Sequence, residues 1–297
     1  MKGLNNPIGI KSLEPSQSPF IMNPFRFAGG KTWSSITSIT TATHVLGGCG
    51  GSTDGLHICG TTILNNDTAN VATGEEWNGS SWSASGSVTN DRRLCSAGGT
   101  SSDAILVGGY DSGAQTSVDE YNGSTWAVGG AIGAQYATAT SGNSSNAIKV
   151  GGINVSNTSV DEYNGTAWSA GGSVATGRAS GATGGNASSA VVMGGGSGDI
   201  SSTEEYNGTA WSAGGSLNTG RDALQGGGTV TDAICMGGRT GDTVHRNEAE
   251  TYDGTVWTSI DNILTARAES GGDGDSSDAI LMGGTTGTIS AVAEVYS

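Results

Sequence analysis

The chain has 297 residues, and 12 Lys and Arg against 27 Asp and Glu give a net charge of −15. That balance argues against nucleic acid and against anionic membrane surfaces, whose phosphates would repel it, and no apolar run approaches the ~18 residues of a membrane span. Gly is 53 residues, about 18% against a usual ~7%, and apolar residues are only 34%, so any core must be shared among stacked units.

In chain order, residues 1–24 come first and hold all four prolines. Scattered apolar residues (Leu4, Ile8, Ile10, Leu13) in a polar, Pro-containing segment predict an extended arm held by another surface, with those four as partner-docking residues. Lys2 and Lys11 are not followed by a continuous hydrophobic stretch, so no secretory signal is expected.

From residue 25 to 297 the chain is repetitive. Trp recurs at 33, 82, 126, 168, 211 and 257, at intervals of 49, 44, 42, 43 and 46. Between these lie six short apolar runs ending in Gly, such as Ala104 to Gly109 and Ala147 to Gly152. Each unit reads as four strands. A small, Gly-rich first strand suits the crowded axis of a ring. An unbroken apolar second strand suits burial on both faces. The third ends at Tyr121, Tyr163, Tyr206, Tyr252 or Tyr296, and Asn-Gly or a similar turn then leads to the Trp strand. The last unit stops at Tyr296, and its missing Gly-x-Thr-Trp stands instead at Gly30 to Trp33. A unit divided between the two ends predicts closure, because pairing the termini removes the exposed sheet edges. The expected fold is all-β: a six-bladed β-propeller closed by its N- and C-terminal strands.

Two charged series follow the repeat. An acid stands two residues before each Tyr position (Glu75, Asp119, Asp161, Glu204, Glu250, Glu294), and Arg92, Arg178, Arg221 and Arg267 lie ten residues after a Trp. We expect Arg and acid to pair between blades and to fix blade register. Thr43 and Tyr136 fill the Arg position in the other two units.

The Gly-Gly pair, the Tyr about a dozen residues on, the Trp five residues later and the following Arg together resemble the kelch repeat over residues 25–297. The resemblance implies kelch-type blades, with the six Trp, the Tyr series and the Arg series as structural positions. Cys59-Gly60 for Gly-Gly and Trp77 for Tyr depart from the pattern.

Chemistry finds little support. His44, His57 and His245 are too few and too dispersed for the copper centre of kelch oxidases. A symmetric Arg series is what a structural role predicts, whereas the Arg cluster of a sialidase would break symmetry. Asp273 to Asp278 is one local carboxylate cluster, read as a solvated turn rather than a calcium site. Cys49, Cys59, Cys95 and Cys235 lack metal-type spacing and read as small buried thiols. No catalytic, cofactor or metal residues are expected.

Residues 20–27, Phe-Ile-Met-Asn-Pro-Phe-Arg-Phe, resemble a short segment of tailed-bacteriophage structural proteins. That resemblance implies a virion component made in the host cytoplasm, its arm docked on other virion proteins. The propeller would then be displayed as decoration or as a tail-fibre element for host attachment, binding a surface glycan or protein. A cellular kelch interaction module and a glycan-active enzyme are the alternatives.

Overall fold

Trp33 lies directly opposite Tyr296, and the strands Trp33–Ile36 and Ala293–Tyr296 run antiparallel in register through Ser34–Val295, Ser35–Glu294 and Ile36–Ala293. The two ends of the chain therefore complete one sheet, as the divided repeat requires. The computed structural model describes residues 30–64, 69–155, 157–196, 198–241 and 243–297. Leu4, Ile8, Ile10 and Leu13 lie outside the described residues, as does the expected arm.

Six four-stranded antiparallel sheets are arranged in a ring, a six-bladed β-propeller, and no helix occurs among the described residues. Blade two shows the pattern: Ser96–Thr100 innermost, then Asp103–Val107, Val118–Tyr121 and the outer Trp126–Val128. Blades one, three, four and five occupy residues 47–87, 139–170, 182–213 and 225–259, and blade six combines 271–296 with Trp33–Ile36. A small additional hairpin, Arg239–Thr240 with Val244–His245, belongs to blade five's loop.

The core lies between blades. Ile105, Val107 and Val118 of blade two pack with Ala147 and Tyr163 of blade three, and Ile148, Val150 and Val160 of blade three with Ala190, Val192 and Tyr206 of blade four. A chain poor in apolar residues thus builds its core as separate clusters at the seams between stacked blades. Each linker between blades adds an apolar anchor six residues after its Trp: Ile39, Val88, Ile132, Val174, Leu217 and Ile263, all buried.

The Gly-Gly pairs end the second strands with consecutive positive φ values, for example 59° and 116° at Gly108 and Gly109. Glycine alone adopts this at little cost. Cys59, in the first Gly position of blade one, is held at φ 61°, a conformation that costs a side-chain-bearing residue roughly 1 kcal/mol or more.

At the axis the ring closes by hydrogen bonds. Val45, Leu94, Ala137, Ser180, Ala223 and Glu269, one per blade, all take φ near 50°. Each donates its N–H to the carbonyl of its equivalent in the preceding blade, at 2.7–3.0 Å, and Val45 donates to Glu269 to complete the circle.

Candidate functional site

The recurrent charges come first, because they decide what is left for function. Arg92 pairs with Asp119 at 2.6 Å, Arg178 with Glu204 at 2.9 Å, Arg221 with Glu250 at 2.6 Å, and Arg267 with Glu294. All four Arg are buried. The pairing differs from the expected one in its partner. Each Arg lies in the linker entering a blade and binds the acid of that same blade, 26–29 residues onward. The bridge between blades is made by the Arg backbone: its carbonyl accepts from the second Gly of the preceding blade, as in Gly195 to Arg221 at 2.9 Å. Side chain and main chain of one residue thus hold two blades. The acid also fastens the linker, since Glu204 accepts from the amides of Ala175 and Thr176, and Glu250 from that of Asn218.

Blades one and three lack the Arg: blade three brings a cation to its acid from the second strand, and in blade one Glu75 accepts from the amides of Thr40 and Thr41 and from the Thr40 hydroxyl. In blade three Lys149 is fully buried and meets Asp161 at 2.8 Å. Its ammonium also donates to the Gly151 carbonyl and the Ser159 hydroxyl. Arg178 contacts the equivalent set in blade four: the Gly194 carbonyl, the Ser202 hydroxyl and Glu204. Burial lowers the Lys149 pKa, opposed by Asp161. The Arg slot itself holds Gln135 and not Tyr136, because this linker is one residue shorter; Gly109 donates to the Gln135 carbonyl. In blade one His57 stands opposite Glu75 in register and shares a 2.6 Å hydrogen bond with Thr43. Burial pushes its pKa down to about 4, against the pull of Glu75, so the imidazole is neutral at pH 7.

The aromatic series is equally committed. Tyr121, Tyr163, Tyr206 and Tyr252 lie over Trp126, Trp168, Trp211 and Trp257 with ring centroids 4.8–5.0 Å apart, Trp77 over Trp82 at 5.3 Å, and Trp33 over Tyr296 at 5.4 Å. A further acid series, one residue before the Tyr position, was not singled out from the sequence. Tyr121, Tyr163, Tyr206 and Tyr252 donate to Glu76, Glu120, Glu162 and Glu205 of the preceding blade. Burial and the Glu205 partner push Tyr252 up to about 12. Four of the six blade junctions carry this link; Thr251 and Val295 stand at the acid position in the other two.

The remaining sequence candidates separate. Among the described residues no group of three His, Cys, Asp or Glu is placed to hold a metal. Cys49, Cys59, Cys95 and Cys235 are buried free thiols. The carboxylate cluster of blade six divides into local roles. Asp275 caps its own turn at Ser277 and Asp278, and Asp278 accepts from Ser52 of blade one. Asp273 points elsewhere, into the axial channel.

What does not repeat gathers on one face. The linkers and the loops after Gly-Gly share this loop face, and the tight hairpins occupy the other, where Trp33 begins the outer strand of blade six. Around the axial mouth Arg239 bridges Asp222 at 3.1 Å and Glu269 at 2.6 Å, and Glu269 also meets His44 Nδ1 at 3.0 Å. Burial opposes ionisation of Glu269, yet His44 and Arg239 hold its pKa below the usual range. Across the mouth Arg93 lies 5.3 Å above the Tyr110 ring, which meets Tyr136 edge-on at 5.2 Å. Ile153 and Val244, on loops of blades three and five, are exposed beside them. Aromatic faces beside fixed donors and acceptors suit polar recognition. No protein-family model and no curated protein matches the chain.

Proposed function

We propose that this β-propeller is a non-enzymatic, kelch-like surface component of a bacteriophage particle. Residues 1–24 dock on other virion proteins, and the propeller presents its loop face outward for decoration or for binding a host glycan or protein. One observation carries the non-enzymatic reading: the recurrent Arg, acid and Tyr side chains are engaged in contacts that hold blades and linkers. Among the described residues, chemically capable groups outside the repeat gather around the loop-face mouth, in pairs suited to contact, and at Asp273 in the channel below it. Loops on a rigid scaffold are the usual seat of recognition, and many copies on one particle would raise weak affinity by avidity.

The test is twofold. Replacing Leu4, Ile8, Ile10 and Leu13 by Ser in the full chain should abolish incorporation into the parent particle and leave the propeller's unfolding transition unchanged. Normal incorporation would contradict the docking role. Purified protein should turn over no member of a glycosidase substrate panel; turnover lost with Arg239→Ala would overturn the non-enzymatic reading.

A further inference from the structure

The loop-face mouth opens into an axial cavity of about 120 Å³, lined by all six blades and reaching down to Asp273 at the waist of the channel. Roughly eight water molecules would fill such a space, the scale of one small polar ligand. Its walls mix apolar side chains, such as Val45, Leu94, Ala137 and Ala223, with hydroxyl groups and backbone. Ser96 bonds to Thr138 and Thr140, each at 2.6 Å, on one side. Ser270 backs the other side, but its Cβ lies beside Gly284 and its hydroxyl, like that of Ser141 lower down, is buried away from the open space.

Asp273 breaks the symmetry of the waist. The positive-φ glycines that follow it and its equivalents (Gly274, Gly50, Gly99, Gly142, Gly185, Gly228) align Asp273 with Cys49, Gly98, Ser141, Gly184 and Gly227. Five small residues and one carboxylate therefore form the ring. The carboxylate lies against Gly227, where an added Cβ would stand 1.5 Å from Oδ1. Its one hydrogen bond among the described residues is from the adjacent Gly274 amide, at 2.7 Å. No blade contact explains an Asp here. Burial, with Asp54 and Asp275 adding to it, pushes its pKa up to about 7, so at neutral pH the group both accepts and donates. Arg239, the cation at this cavity, is already held by Asp222 and Glu269, which leaves the site unsuited to an anion.

We infer that the axial cavity binds one neutral sugar unit, its hydroxyls meeting Asp273 at the waist, with the Ser96, Thr138 and Thr140 hydroxyls of blades two and three opposite. Vicinal hydroxyls match a wall of paired donors and acceptors, and a single carboxylate among hydroxyls is a poorer cage for a divalent cation. This inference rests on the binding reading of the loop face and names its ligand class.

Ligand-observed NMR and calorimetry on the full chain, with neutral methyl hexosides, a methyl N-acetylhexosaminide and sialic acid as probes, test it. At least one neutral glycoside should bind with Kd below about 10 mM. Asp273→Gly, which installs the residue of blades two, four and five, should keep the thermal midpoint and weaken binding at least about tenfold. Failure of every neutral glycoside, preference for sialic acid, or unchanged binding by Asp273→Gly would overturn the inference. Particle incorporation, read separately with the Leu4, Ile8, Ile10 and Leu13 variant, distinguishes failure of this site from failure of the virion reading.

Discussion

Blades two, four, five and six meet their buried acid with an Arg from the incoming linker, whereas blade three uses Lys149 and blade one holds Glu75 through Thr40 and Thr41, with His57 opposite it in register. The difference separates what the fold demands from how the demand is met. A carboxylate at this third-strand position fastens the linker amides, and a buried carboxylate needs compensating donors. Its counter-group arrives along whichever path the local sequence offers. Blades two, four, five and six bridge two blades through one Arg, but in blades one and three the slot residues Thr43 and Gln135 keep the backbone bond from the preceding blade, at 2.9 Å in both cases, and leave the acid to other groups: Thr40 and Thr41 in blade one, Lys149 in blade three.

The comparison is broken most severely at a single Arg. Arg221→Met leaves Glu250, 1% exposed, without its cation, and about 3–5 kcal/mol of stability should be lost in urea unfolding. Blade one answers to pH. His57 has its folded pKa depressed to about 4 from an ordinary 6.5, so its contribution is fully present above about pH 6.5 and is lost as pH falls through 4. The groups facing it are Glu75 and Thr43. The decline should approach about 3 kcal/mol, and His57→Gln should remove that part of the acid sensitivity in unfolding curves between pH 7 and 4. Lys149→Met in blade three should cost less than the Arg change, about 1–2 kcal/mol, because Asp161 is 28% exposed and water takes over part of its solvation. The smallest effect sharpens the equivalence. Arg92→Gln with Leu106→Lys moves the arrangement of blade three into blade two, and should recover about 1–2 kcal/mol relative to Arg92→Gln alone; purely additive losses would show that the two paths are not interchangeable.

These contrasts also mark what sequence spacing can disclose. Six Trp, the Tyr series and the Gly-Gly pairs recur at fixed intervals, so blade number, strand order and closure of Trp33 on Tyr296 were legible. The acid and Arg columns were legible as structural positions, but their pairing within a blade was not, because the linker's path decides it. The role of Lys149 was illegible for a related reason: it replaces an Arg from a different column, and only the folded chain brings the two columns to one point; His57, weighed in the sequence only as a metal ligand, proves to be buried opposite Glu75. The anchors Ile39 to Ile263 and the acids Glu76 to Glu205 were readable at constant offsets and were passed over. The axial hydrogen-bonded ring had no signature at all, since Val45, Leu94, Ala137, Ser180, Ala223 and Glu269 share a backbone conformation and no side-chain chemistry. The Asp273 site is visible only as a break in a column of small residues, and it acquires meaning when that column proves to be the waist of a channel.

The account assigns the recurrent charges to holding the ring and leaves recognition to what does not recur. A double-mutant cycle on Arg221 and Glu250, using Arg221→Met, Glu250→Gln and the pair in urea unfolding, tests that assignment most directly. A coupling of about 2 kcal/mol or more, with glycoside binding unchanged in the folded variants, is the predicted result. Additivity within about 0.5 kcal/mol, or loss of binding without loss of stability, would contradict it.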